Sequence, residues 1–255
     1  MKIQNIVFII IILTSNLFSY EKSKINLQLD WLHQFQFAGY YIAKEKGFYT
    51  DNNLDVTIKE FSNNLNLTQN VLNNENTYGI GKSSLIIDKL NNKNIVLLAA
   101  IYQSSPMTLI SLKKSNIHTI SDLKNKKVML STDAKEAVNI NSMIKSQNLK
   151  LEDIEFIPHS FNLNDLIDGK VDVMGCYLSN EPYTLKNKNI AFKIFNPSDY
   201  GFDFYGGILF TSKDELNNNP KRVKDFYNAS IKGWTYPFEN IEETAKLIYK
   251  KYNTK

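Results

Sequence analysis

Between residues 26 and 101 the chain switches repeatedly between strand-like and helix-like hydrophobic periodicity, and few architectures accept that alternation. Residues 26–31 alternate as a strand, 38–48 follow as a helix with Gly47 near its C-terminus, and 54–61 read as a second strand. Helices at 67–72 and 83–90 and strands at 77–81 and 95–101 continue the rhythm. The last of these is apolar throughout, which predicts a parallel strand covered on both faces. A β-α-β-α-β-α-β order predicts a doubly wound lobe.

From Tyr102 the chain changes character. Strands are expected at 107–112, 127–130, 154–157, 171–176 and 190–195, and helices at 136–147 and 163–167, while 120–124 starts a second cycle with Ser121 as a helix N-cap. An apolar strand at 204–211 and helices at 220–234 and 240–252 follow. The expected organisation is α/β with two lobes, the first discontinuous (21–112 plus 199–255) and the second inserted (113–198). Each lobe would be a doubly wound sheet, and two chain crossings imply a hinge and a cleft.

The corner after the first strand carries the densest chemistry. Trp31, His33, Gln34, Phe35, Gln36 and Phe37 crowd together, with Tyr40 and Tyr41 on the helix behind them. A strand-to-helix corner at the carboxyl edge of a parallel sheet is where open α/β sheets bind small molecules. Aromatic faces with amide side chains suit a flat, polar heterocycle, although a single ring is more often core.

With 255 residues and 43% hydrophobic content the chain can build two lobes. The formal charge of +4 is spread along the sequence, with no Lys/Arg block interleaved with aromatics, so nucleic acid is not an expected partner. Cys176, the single cysteine, cannot form an internal disulfide and reads as a structural thiol at the end of a buried strand. Lys2, the apolar run 6–13 and the small residues after it predict a signal peptide over 1–20, or an N-terminal anchor if uncleaved. The run is short for a membrane span. His33, His118 and His159 are far apart and show no metal-ligand spacing; there is no GxSxG elbow and no P-loop.

The strings LDWLHQFQFAGYYIAKEKGFY, YGIGKSSLIIDKL, LLAAIYQSSP and VDVMGCYLSNEPY together resemble the family of pyrimidine-precursor-binding proteins and thiamin-pyrimidine synthases. The resemblance covers roughly residues 25–255. It implies a type II periplasmic-binding-protein clamshell and a ligand-binding role without cofactor or metal. Bacterial members are largely substrate-binding components of ABC importers. The opening string also resembles a variant used as the extracytoplasmic sensor domain of diguanylate cyclases and histidine kinases.

The resemblance suggests where a ligand sits. Trp31 and Tyr40 would stack on a ring and Gln34 and Gln36 meet its edge, unless Trp31 only lids the sheet. Ser83 and Ser84 would offer hydroxyls and N–H groups, or simply cap a helix. Gln103 and Ser104 lie at the first crossing, and Asp203 and Tyr205 at the return. On the second lobe Thr132, Tyr177, Asn180 and Glu181 follow strands. The Glu181 carboxylate would accept two N–H bonds from an aminopyrimidine, or else start a helix with Pro182 in its first turn.

The synthase branch consumes its own histidine and uses a cysteine cluster with iron. The position of that histidine holds Ser84, and the cysteine cluster corresponds to 202–207, which has no cysteine. The expectation is therefore a binder and not an enzyme: a monomeric, periplasmic solute-binding protein that captures a thiamin pyrimidine precursor for an ABC permease. A sensor domain coupled to a membrane signalling output is the alternative. The chain ends at Lys255 without a transmembrane segment or output domain, which favours the free binding protein.

Overall fold

The computed structural model describes residues 21–62, 65–131 and 138–252; the segment read as a signal peptide, and Thr132, lie outside the described residues. The described residues form ten strands: β1 (Ser23–Gln28), β2 (Leu54–Lys59), β3 (Thr77–Gly81), β4 (Ile95–Tyr102), β5 (Met107–Leu112), β6 (Lys127–Leu130), β7 (Glu155–Pro158), β8 (Val173–Tyr177), β9 (Phe192–Phe195) and β10 (Gly206–Ser212). They make two mixed five-stranded sheets, ordered β2-β1-β3-β10-β4 and β7-β6-β8-β5-β9. The helices of the described residues are α1 (Ala38–Glu45), α2 (Leu67–Asn73), α3 (Leu85–Leu90), α4 (Val138–Ser146), α5 (Asn164–Ile167), α6 (Glu181–Asn187), α7 (Lys213–Asn218), α8 (Pro220–Glu239) and α9 (Ile241–Lys251).

One compact unit gathers, of the described residues, 21–26, 33–58 and 219–252. Here α1 forms because residues 38–43 are all buried, and Gly47, at φ +79°, ends it in the left-handed conformation that glycine adopts freely. Helix α8 crosses α1 at very short range. A Cβ on Gly233 would lie 2.1 Å from the Gly39 carbonyl oxygen, and one on Gly39 would lie 2.2 Å from the Trp234 ring. Tyr49 stacks on Phe226 at 5.2 Å and donates to Ser230 Oγ at 2.9 Å, because that hydroxyl's own proton goes to the Phe226 carbonyl. Burial raises the Tyr49 phenol pKa far above its ordinary value. Helix α9 is tied to α1 by Tyr252, which stacks on Tyr41 at 4.1 Å and donates to Glu45 Oε1 at 2.7 Å.

The other unit comprises residues 27–32 and 59–218. In it, β6 runs parallel to β7 and β8, whereas β5 runs antiparallel to β8 and β9. One face of this sheet buries Leu109, Val128, Val173 and Phe195 against Ile140, Met143 and Ile144 of α4. The opposite face buries Ile110, Met129 and Met174 with Leu166 and Leu185. Strand β10 lies antiparallel between β3 and β4, pairing Ile208 with both Gly81 and Ala100.

Strand β4 is not a covered parallel strand: it is an edge strand, antiparallel to β10, with Leu97 45% exposed. Ser121 does not cap the turn at Ile120–Leu123; Thr119 does, in a capping box with Asp122, whose carboxylate accepts the His118 and Thr119 N–H groups. Those bonds hold the Asp122 pKa below its ordinary value.

Candidate functional site

The chain beyond β1 is pinned by backbone bonds. Leu29 N–H donates to the Lys59 carbonyl at 2.9 Å, the Gln28 side chain donates to the Glu60 carbonyl at 2.7 Å, and Phe61 N–H donates to the Trp31 carbonyl at 3.1 Å. Asp30 and Trp31 are thus presented from rigid backbone at a strand end. The residue following β3 is Lys82, whose Nζ lies 3.3 Å from Asp30 Oδ2; the two side chains are only 6% and 3% exposed. Two charges removed from water so completely survive only as a pair. The ammonium also sits 5.9 Å from the centre of the Trp31 ring, a favourable cation–π distance. At the end of β4, burial first and then the Asp30 charge raise the Tyr102 phenol pKa.

Trp31 is the hub of an aromatic group. Phe61 lies nearly parallel to it at 6.1 Å, Phe161 meets it edge-on at 4.9 Å, and His159 edge-on at 5.8 Å. A ring inserted between Trp31 and Phe61 needs roughly 7 Å, two contact distances, so those walls must part by about 1 Å to admit one. The loop after β7 supplies the other two members in a fixed arrangement. His159 Nδ1 accepts the Phe161 N–H at 2.9 Å, so the ring proton is on Nε2, which donates to the Gly175 carbonyl at 3.1 Å. Phe161 holds φ at +59°, where every other non-glycine residue among those described with positive φ is an asparagine. A bulky residue there is strained.

Beside this group opens a cleft of about 400 Å³, the size of a small-ligand site. Asp30, Lys82 and Ser84 line it together with the apolar wall of Phe61, Leu65 and Leu85. At its rim Thr68 donates to Asp88 Oδ2 at 2.5 Å and Lys93 pairs with Asp88 Oδ1 at 2.6 Å. The cleft therefore offers a hydrophobic wall for a flat ring and a buried carboxylate and ammonium for its polar edge.

The residues anticipated from sequence fall into separate groups. Ser84 lines this cleft and Trp31 stacks on its Phe61 wall, while Ser83 is buried and its hydroxyl is 3.5 Å from Asn139 Oδ1 on α4. Tyr177, Asn180 and Glu181 form a second cluster: Glu181 accepts the Tyr177 N–H at 3.2 Å and the Asn180 side-chain N–H at 3.1 Å. Glu181 also begins α6, with Pro182 in the first turn. Burial raises its pKa, against the pull of its own and the Tyr177 N–H groups. Burial, then the Glu181 charge, raises the Cys176 thiol pKa, consistent with an inert thiol. Gln103 donates to the Ala100 carbonyl at 2.9 Å, Ser104 donates to Asp203 Oδ1 at 2.7 Å, and Tyr205 is exposed; these occupy the β4–β5 and β9–β10 connections. Gln34, Gln36 and Tyr40 belong to the first unit, where Gln34 and Gln36 are half-buried and Tyr40 is buried edge-on to Trp234 at 5.6 Å.

Lys82, Phe61, His159 and Phe161 escaped the sequence reading. Lys82 left a usable trace, a lone cation following an apolar strand and preceding a helix. His159 left another, since it directly follows β7. Among the described residues no group of three or more His, Cys, Asp or Glu side chains is arranged to hold a metal ion, and no helix is long and apolar enough to cross a membrane.

The family described as NMT1/THI5 like matches residues 34–244. A Haemophilus influenzae protein named for thiamine biosynthesis is 28% identical over 225 residues, covering 86% of this chain and 70% of its own. The formylaminopyrimidine-binding protein of Halalkalibacterium halodurans is 22% identical over 228 residues, covering 88% and 69%. Among solved structures, the alkanesulfonate-binding protein SsuA of Xanthomonas axonopodis bound to MOPS superposes with a TM-score of 0.68 at 15% identity, covering 90% of this chain and 79% of its own. The fold is that of the type II periplasmic binding proteins.

Proposed function

The chain belongs to the NMT1/THI5-like family, and from that premise we propose that it is a solute-binding protein that captures a thiamin pyrimidine precursor for import. The observation that carries this reading is the Trp31–Phe61 aromatic pair beside the buried Asp30–Lys82 ion pair. An aminopyrimidine has a flat face for the first and ring nitrogens with an exocyclic amine for the second. The formylaminopyrimidine-binding relative supports the ligand class. Binding without catalysis is supported by Ser84 at the position of the synthase branch's histidine and by the absence of cysteine from 202–207. Location outside the cytoplasm, secretion through residues 1–20 and delivery to an ABC permease complete the proposal.

The two lobes are taken to follow the sheets, β1–β4 with β10 and β5–β9, the chain passing between them at 103–106 and 196–205. Ligand would favour whichever arrangement gives it the most contacts.

The test is thermal shift and calorimetric titration with formylated and hydroxymethyl aminopyrimidines. At a hundred times the dissociation constant, bound ligand adds about 2.7 kcal/mol, worth roughly 5–11 °C in a chain of this size. Trp31→Ala is expected to weaken binding at least tenfold, about 1.4 kcal/mol. Absence of heat and of thermal shift with every aminopyrimidine would reject the ligand class.

A further inference from the structure

We propose that His159 is a positioning residue that makes ligand capture proton-sensitive, by holding Phe161 in its left-handed backbone conformation against Trp31. The inference rests on the cleft beside Trp31 being the capture site. It starts from an incompatibility: the strained Phe161 conformation is tied down by an N–H bond to His159 Nδ1, and that nitrogen accepts only while the imidazole is neutral. The opposite ring nitrogen is occupied by the Gly175 carbonyl at 3.1 Å, so the ring cannot exchange tautomers without losing both bonds.

Protonation at Nδ1 sets one N–H against another. The bond that offsets the strain at Phe161 is lost, the loop relaxes, and the edge-on contact of Phe161 with Trp31 at 4.9 Å goes with it. The charged and titratable groups around His159 come from three sides. Lys82, paired with Asp30, lies 5.9 Å from the centre of the Trp31 ring; Cys176, beside the Glu181 charge, adjoins Gly175 on β8; Asp165, paired with Lys170, reaches the loop through the Ser160 hydroxyl at 2.6 Å. The Trp31 ring neighbours both the Lys82 ammonium, at 5.9 Å, and the His159 ring, at 5.8 Å. Because the capture-competent loop contains neutral His159, acid weakens binding, by roughly tenfold per pH unit below the histidine's midpoint.

The first measurement uses the full chain without ligand. The Phe161 amide, the Trp31 indole and the His159 ring are followed by NMR from pH 8 to 5. All three are expected to move together, and the Phe161 amide to lose protection from exchange in acid. His159→Asn keeps an acceptor at the place of Nδ1 but cannot titrate, so its Phe161 and Trp31 signals are expected to stay flat across the range. The second measurement takes the ratio of the affinities of the wild type and His159→Asn for a formylated aminopyrimidine at each pH, which cancels the probe's own titration. That ratio is expected to fall about tenfold per unit in acid. Phe161 and Trp31 signals indifferent to His159 protonation, or a His159→Asn profile that follows the wild type, would overturn the coupling. Coupled signals without binding of any aminopyrimidine would uphold it and reject the ligand class instead.

Discussion

Replacing Lys82 by methionine keeps the side-chain stem and removes only the charge, which isolates the Asp30–Lys82 pair. At 3.3 Å and an effective dielectric of 20, the gross attraction is about 5 kcal/mol. The net worth of the pair is smaller, because both groups were stripped of water to make it. The single variant, however, forfeits the attraction and leaves Asp30, 3% exposed, without its cation, so a loss of about 3–5 kcal/mol is expected. In a chain of this length that lowers Tm by roughly 10 °C. Asp30→Asn combined with Lys82→Met neutralises both partners at nearly constant volume and is expected to recover at least half of the loss. Urea denaturation of wild type, both singles and the double gives the coupling energy directly, provided the slopes agree. A Lys82→Met variant within about 1 kcal/mol of wild type, or a double mutant no better than the worse single, would refute the claim that this is a desolvated pair.

Gly233→Ala places a methyl group 2.1 Å from the Gly39 carbonyl oxygen, and since backbone cannot yield as a side chain does, a cost of about 3 kcal/mol or failure to fold is expected in thermal melts. Glu181→Gln tests pH linkage. The folded-state pKa of Glu181 is raised by burial, so the native chain binds more protons than the unfolded one just above the ordinary carboxylate range, and stability falls as pH rises through that window. The variant is expected to flatten that limb of the Tm–pH curve and to gain on wild type at neutral pH; an unchanged curve would contradict it. Tyr252→Phe removes a donor from Glu45, where burial alone would raise the pKa but the bonds from Lys251 and Tyr252 bring it down. A loss of about 1 kcal/mol in urea melts is expected, with α9 the first segment to gain hydrogen exchange.

How far the sequence spoke depended on whether the decisive interactions were local. Strands β3, β5 and β6 were read at their observed limits, because turn residues and apolar runs bound them directly. The wrong neighbours assigned to β4 show the limit of that reading: IVLLAAIY announces a strand, but nothing in it says that β10, more than a hundred residues later, will pair with it antiparallel. The site divides the same way. Trp31 was legible because aromatics crowd a predicted corner. Lys82 was not, because its meaning lies in a carboxylate from another strand, and Phe161 was not, because a positive φ on phenylalanine leaves no mark in the residue order. Glu181 was legible as a helix start, but that its carboxylate turns back to the Tyr177 N–H at the end of β8 was not.

The late arrival of β10 also bears on how the chain comes to be folded at all. Strand β3 ends at Gly81 and its partner Ile208 is synthesised long afterwards, so β3 and β4 wait side by side with a vacancy between them. The strands from Met107 to Phe195 that make the other sheet are all complete by then and pair over shorter sequence separations than β10 does with β3 and β4. Loop closure favours the nearer pairings, so the second sheet is expected to form first and the first sheet to close as a slow, final step. Until that step, the apolar edges of β3 and β4 are open to other chains, and aggregation during refolding is expected to be set by the insertion of β10.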